Sequence, residues 1–69
     1  MNEIFTERFN QVLKDGNVNQ TNLAEQIGIS KQCISDFKSG KSFPSIHTLK
    51  LICLHLEVSA DYLLGLSDY

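Results

Sequence analysis

From Gln20 to Ser39 the chain reads QTNLAEQIGISKQCISDFKS. Two short apolar patterns, Leu23-Ala24-Ile27 and Ile34-Phe37, recur at the three- to four-residue spacing of a helical face. Between them stands only Gly28-Ile29-Ser30, a tight turn. Gly28 supplies the left-handed backbone that ends a helix, and the Ser30 hydroxyl accepts from the free N–H groups that open the next one. Two helices this short, packed at a steep angle, need a small residue where their backbones approach, and Ala24 fills that place. Leu23, Ile27, Ile29, Ile34 and Phe37 seal the wedge between them. Lys31, Gln32, Ser35 and Asp36 are left pointing out.

Outward from this stretch the apolar spacing is helical throughout, without strand-like alternation or repeats. A first helix is expected from about Glu3 to Asp15, burying Phe5, Phe9, Val12 and Leu13, and Asp15-Gly16-Asn17 ends it. Asn19 caps the second helix and Ser30 the third, which reaches to about Ser39 and closes at Gly40. After Lys41-Ser42-Phe43-Pro44, Ser45 starts a fourth helix with Ile46, Leu49, Ile52, Cys53 and Leu56 at helical period. Ser59 caps a fifth, Ala60 to Leu64, closed by Gly65. The expected architecture is all-α, one compact five-helix domain over residues 1–69.

At 69 residues the chain is one small domain, which buries only about 60% of its unfolded surface. Hydrophobic residues at 42% and charged residues at 20% fit a globular chain and not a disordered one. No apolar run approaches the roughly 20 residues of a membrane span, and the N-terminus lacks the pattern of a secretory signal. A cytoplasmic protein is expected. Cys33 and Cys53 form no CxxC pair, and His47 and His55 have no third ligand, so free thiols, surface histidines, no metal and no cofactor are expected. No small-molecule ligand is evident.

The net charge of −2 argues at first against a nucleic-acid partner. Its distribution argues otherwise. Residues 30–50 carry Lys31, Lys38, Lys41 and Lys50 against Asp36, a balance of +3, and the remainder of the chain carries −5. One face can therefore be basic while the molecule is acidic.

The segment NQTNLAEQIGISKQCISDFKSGKSFPS resembles the helix-turn-helix of the phage repressor and Cro family, also called the XRE family. Gln20, Leu23, Ala24, Ile27, Gly28, Ile29, Ile34 and Phe37 match that family's fixed positions. Ser39-Gly40-Lys41 and Pro44 match its following loop, and Leu56 to Gly65 its fifth helix. The resemblance covers nearly the whole chain. It implies a lambda-repressor-like bundle whose third helix enters the major groove while the second lies across the DNA backbone, the geometry general to repressor and Cro proteins.

Carried over by position, Lys31, Gln32, Ser35 and Asp36 are the expected base readers. Gln32 is the strongest, because an amide pairs bidentately with adenine. Lys31 either donates to guanine or holds a phosphate. Asp36 stands where many relatives carry a basic or amide residue, so it either accepts from cytosine N4 or pairs with a neighbouring Lys. Gln20, Ser30, Lys38, Ser39, Lys41 and Ser42 are the expected phosphate ligands. Cys33 is read as an inert small side chain, against the alternative of a redox-sensing thiol.

The function the resemblance implies is sequence-specific binding of double-stranded DNA by a transcriptional regulator, a repressor of phage or prophage type. Dimerisation is implied around the fourth and fifth helices, with Leu63, Leu66 and Tyr69 as expected contacts and a palindromic operator as the target. The rival is an antitoxin or antirepressor acting through protein contacts. An enzyme is not expected, since no nucleophile, base and acid arrangement and no glycine-rich phosphate loop appear. The chain is expected to be either a minimal regulator or an N-terminal fragment.

Overall fold

A computed structural model describes residues 3–68, which form five α-helices with no strand among them. These are α1 (Glu3–Asp15), α2 (Gln20–Ile27), α3 (Lys31–Ser39), α4 (Ile46–Leu56) and α5 (Ala60–Leu64). Four of the starts are made by one device. The side-chain oxygens of Asn19, Ser30, Ser45 and Ser59 accept from the backbone N–H of Asn22, Cys33, Thr48 and Tyr62 respectively. Each such cap is worth about 1 kcal/mol, and together they fix where short helices begin.

The helix ends separate expected from unexpected chemistry. Gly28 takes φ 77° and lets its own N–H and that of Ile29 close on the Ala24 carbonyl. A Cβ there would meet nothing within 4 Å, so the backbone angle alone requires glycine. At the end of α1 the left-handed residue is Asn17, φ 50°, rather than Gly16 beside it. At the end of α4 it is Glu57, φ 56°, which the sequence does not announce. That position costs roughly 1–2 kcal/mol for a side chain with a Cβ. It holds because Glu57 and Val58 both donate to the Cys53 carbonyl and Val58 packs against the core.

Helix α1 lies against α3 and α5, α2 against α3 and α4, and α4 against α5. Phe5, Phe9, Leu13, Leu23, Ala24, Ile27, Ile34, Phe37, Ile52 and Leu63 form the buried core. Its spine is aromatic: Phe5 stacks on Phe9 with ring centroids 5.4 Å apart, and Phe37 meets Phe9 edge-on at 6.2 Å. Phe43, after α3, meets Phe5 edge-on at 6.0 Å and brings the following loop onto the same spine. Such pairs add about 0.5–1.5 kcal/mol beyond the area they bury.

Two expectations change. Val12 is half-buried at the edge of the α1 stripe, which leaves Leu13 as that turn's anchor. Ile46, placed on the apolar face of α4 by period, is 89% exposed. It is the first residue of its helix, and helical side chains lean toward the N-terminus, so it points past the helix end into solvent.

Candidate nucleic-acid interface

Helix α3 divides as its sequence pattern dictates. Ile34 and Phe37 face the core, while Lys31, Gln32 and Ser35 are exposed and Asp36 is half-exposed on the other side. The four expected base readers therefore share one outward face. The helix that carries them has only nine residues, and both of its ends are fixed, by the Ser30 cap and by Gly40 closing on the Asp36 carbonyl. A rigid mounting of this kind is what side chains read against base edges need.

In the free protein Asp36 is paired with a neighbouring amide and not with a lysine. Its Oδ1 accepts from Nε2 of Gln32 at 2.9 Å, one helical turn away. An i,i+4 amide–carboxylate pair contributes a few tenths of a kcal/mol to a helix, about 0.2–0.5. Its larger consequence is directional, because a carboxylate that only accepts holds the amide with its nitrogen toward Asp36.

The expected phosphate ligands split into two groups. Gln20 and Lys38 line one cleft of about 430 Å³, shared with Asn10, Leu13, Lys14, Asn17 and Val18. The cleft lies where α2 begins, so Lys14 and Lys38 line a recess beside a helix N-terminus, the end that attracts anions. Lys14 was not anticipated. It stands six residues before Gln20, and only the turn through Asn17 brings it there. Around the end of α3, Lys41 is exposed, and the backbone N–H groups of Lys41 and Ser42 both close on the Asp36 carbonyl, at 2.9 and 3.4 Å. The hydroxyls of Ser30 and Ser39 donate locally, Ser30 to Cys33 Sγ at 3.3 Å and Ser39 to the Asp36 carbonyl at 3.2 Å. Either must rotate away from that partner to donate to a phosphate.

Two polar residues of α1 tie it to the rest of the fold, Asn10 to α3 and Arg8 to α5 and the turn after it, and sequence reasoning missed both. Asn10 donates through Nδ2 to the Lys38 carbonyl at 2.9 Å and to the Thr6 carbonyl at 2.8 Å, which pins the last turn of α3 onto α1. Arg8 donates through one guanidinium nitrogen to the carbonyls of Tyr62 and Ser67, each at 2.6 Å. Its guanidinium carbon also sits 4.5 Å from the centroid of the Tyr62 ring. No local pattern signals either residue, since the partners are backbone carbonyls distant in sequence.

The expected dimer contacts need correction. Leu63 is fully buried and has no surface to offer a second copy, because α5 turns this residue into the core against α1 and α4. Leu66 is 76% exposed, with Leu64 at 39% and Ile4 at 43%. Ile4 borders Gly65, where an added Cβ would come within 3.0 Å of it. Tyr69 lies outside the described residues.

Both cysteines are free thiols, and burial pushes the Cys53 thiol up, away from the reactive thiolate. Among the described residues no helix is long and apolar enough to cross a membrane, and no His, Cys, Asp and Glu side chains gather as a metal site.

Two short helices, α2 and α3, joined at a glycine turn, with the polar face of α3 turned outward and its inner face packed on α1 and α2, define a helix-turn-helix protein. Residues 6–68 match the family model described as a helix-turn-helix domain, and the chain belongs to that family, in its XRE type. It is 38% identical over 61 residues to the HTH-type transcriptional activator BcrR of Enterococcus faecalis, covering 88% of this chain and 30% of that protein. It is 31% identical over 65 residues to the uncharacterized HTH-type transcriptional regulator YobD of Bacillus subtilis (strain 168), covering 94% of this chain and 58% of that protein. The chain thus spans less than two thirds of either relative. No solved structure matches it.

Proposed function

We propose that this chain is a sequence-specific DNA-binding domain of a transcriptional regulator, acting through residues 1–69 as a single unit with α3 in the major groove. The observation that carries the reading is the outward polar face of α3, Lys31, Gln32, Ser35 and Asp36, flanked by the Gln20–Lys38–Lys14 cleft and by Lys41. Base edges demand amide and charged groups on a rigid helix, and phosphates demand cations and free N–H groups on either side. Family membership and two relatives named as transcriptional regulators support the same reading.

In this reading Gln32 reads adenine, Lys31 reads guanine or steadies a phosphate, and Ser35 contacts the neighbouring base. Gln20, Lys14, Lys38 and Lys41 hold phosphates, with Ser30, Ser39 and Ser42 beside them. Selection of bound sites from a random DNA pool supplies the operator for the test. On it, Gln32→Ala is expected to lose about 1–3 kcal/mol and to relax preference at one base position. Lys41→Ala should instead weaken all sequences alike and lower the salt slope by about 1. Equal losses on operator and random DNA for Gln32→Ala would sink the reading.

We further propose a dimer on DNA, because one recognition helix reads too few base pairs to select a site from a genome. Leu66, Leu64 and Ile4 form the exposed apolar surface near the end of α5 that suits a second copy. Two-fold symmetry requires half-site centres about 34 Å apart, roughly 10 base pairs. A surface this small gives an interface below about 1,200 Å², which holds only when DNA adds its contacts. Sedimentation with the selected operator should give two protomers per site, and an asymmetric site occupied by one protomer would overturn the dimer. Repression follows if the operator overlaps a promoter and the bound pair blocks polymerase. One relative is named an activator, so a reporter carrying the selected operator has two informative outcomes for the sign of regulation.

A further inference from the structure

We infer that Asp36 sets base specificity without touching a base, by holding one N–H of the Gln32 amide so that Gln32 selects adenine against guanine. This rests on the reading of Gln32 as a base contact. A free glutamine amide offers two N–H donors and one carbonyl acceptor, and it can turn over about its last torsion. In that state it has two ways to bind a purine in the major groove. Its oxygen and one N–H satisfy adenine, whose edge shows the N6 donor and the N7 acceptor, while with its nitrogen turned to the base it can donate to guanine, whose O6 and N7 are both acceptors.

The pair with Asp36 disfavours the second way. Asp36 Oδ1 accepts from Gln32 Nε2 at 2.9 Å, so one N–H is committed and the nitrogen end is fixed in direction. The remaining N–H and Oε1 make one donor and one acceptor side by side, which is the complement of adenine. Guanine at the same place would put its O6 against Oε1, two acceptors with no proton between them. Asp36 is well placed to enforce this. It is half-buried, and its own carbonyl accepts from Lys41 N at 2.9 Å and from Ser39 Oγ at 3.2 Å, so the backbone that carries the carboxylate is held. The arrangement also explains an acid on a face otherwise suited to DNA: its negative charge is engaged by the residue it orients.

The test uses the full chain and the selected operator with adenine or guanine at the base whose preference collapses in Gln32→Ala. The wild type should favour adenine by about ten-fold or more. Asp36→Ala frees the second N–H and should lower that ratio about two-fold, while Asp36→Asn, whose amide oxygen can still accept, should retain most of it. Removing the negative charge will also raise affinity for every sequence alike, which leaves the ratio untouched. Melting curves of both variants should stay near the wild type, since the site is on a helix surface. An unchanged ratio in Asp36→Ala, with Gln32→Ala still abolishing it, overturns the proposal and leaves Gln32 as a reader. Loss of a cytosine preference at a neighbouring pair in Asp36→Ala also overturns it, because Asp36 would then read a base directly. If Gln32→Ala alters no base preference, the underlying reading of Gln32 fails together with the proposal.

Discussion

Phe37→Ala is expected to remove roughly 3–5 kcal/mol of folding stability, the range for truncating a buried aromatic. Phe37 is 6% exposed and meets Phe9 edge-on, so the deletion opens a cavity at the junction of α3 and α1 and loses a ring pair with the spine. A small domain has about 5–15 kcal/mol in total, and often the lower end at this size. The variant should therefore melt far below the wild type or be unfolded at room temperature, as followed by circular dichroism. Ile46→Ser supplies the contrast. It also removes a large apolar side chain from a helix, but Ile46 is 89% exposed, and the change should stay within about 0.5 kcal/mol. A wild-type melting curve for Phe37→Ala would mean that the inner face of α3 is not where Ile34 and Phe37 put it.

What makes Phe37 predictable is also what made most of the fold legible. Apolar residues at helical period, serines and an asparagine at four starts, and glycines at three ends are local signals. Each acts over four residues or fewer, so sequence order alone carries it. Ile46 broke the rule because period says which side of a helix a residue occupies and not whether anything lies opposite that turn. Leu63 was apolar near an expected interface, and only the packing of α5 on α1 shows that the core had taken it. Glu57 escaped notice because its left-handed conformation is held by contacts of Cys53 and Val58 and not by its own identity.

The candidate interface was legible in its outward face and illegible in its supports. That Lys31, Gln32, Ser35 and Asp36 lie away from the core follows from the positions of Ile34 and Phe37, while their reading as base contacts is what the family resemblance implies. The Gln32–Asp36 bond lies within an i,i+4 spacing that sequence permits, but the same spacing equally permits two independent solvated side chains. Asn10 and Arg8 act on groups 28 and more than 50 residues away, the carbonyls of Lys38, Tyr62 and Ser67, and Lys14 shares a cleft with Gln20 across the turn. A carbonyl is present at every position and marks none. Polar residues of α1 that serve such partners look, in sequence, like any solvated helix face.

Arg8 offers the clearest measure of what such a hidden support is worth. Arg8→Met keeps a long apolar stem over α5 but leaves the carbonyls of Tyr62 and Ser67 without the guanidinium. Hydrogen bonds to a charged donor contribute about 1.5–3 kcal/mol each, and the ring contact with Tyr62 adds roughly 0.5–1. The Arg8 side chain is 25% exposed, so water partly replaces these bonds, and a net loss of about 2–4 kcal/mol is expected. The ion pair with Asp68 is a different matter. At 3.9 Å, with Asp68 98% exposed, it should contribute under about 1 kcal/mol, so Asp68→Ala should melt close to the wild type. Arg8→Lys should recover part of the loss, since one ammonium can reach a carbonyl but cannot spread over the ring as a guanidinium does. Because Tyr62 and Ser67 lie on either side of the turn at Gly65, Arg8 also holds the segment that presents Leu66. Arg8→Met should therefore speed amide exchange in α5 and weaken the proposed dimer on operator DNA. A melting curve within 0.5 kcal/mol of the wild type would show that the two carbonyls are satisfied equally well by water, and that the end of α5 stands without Arg8.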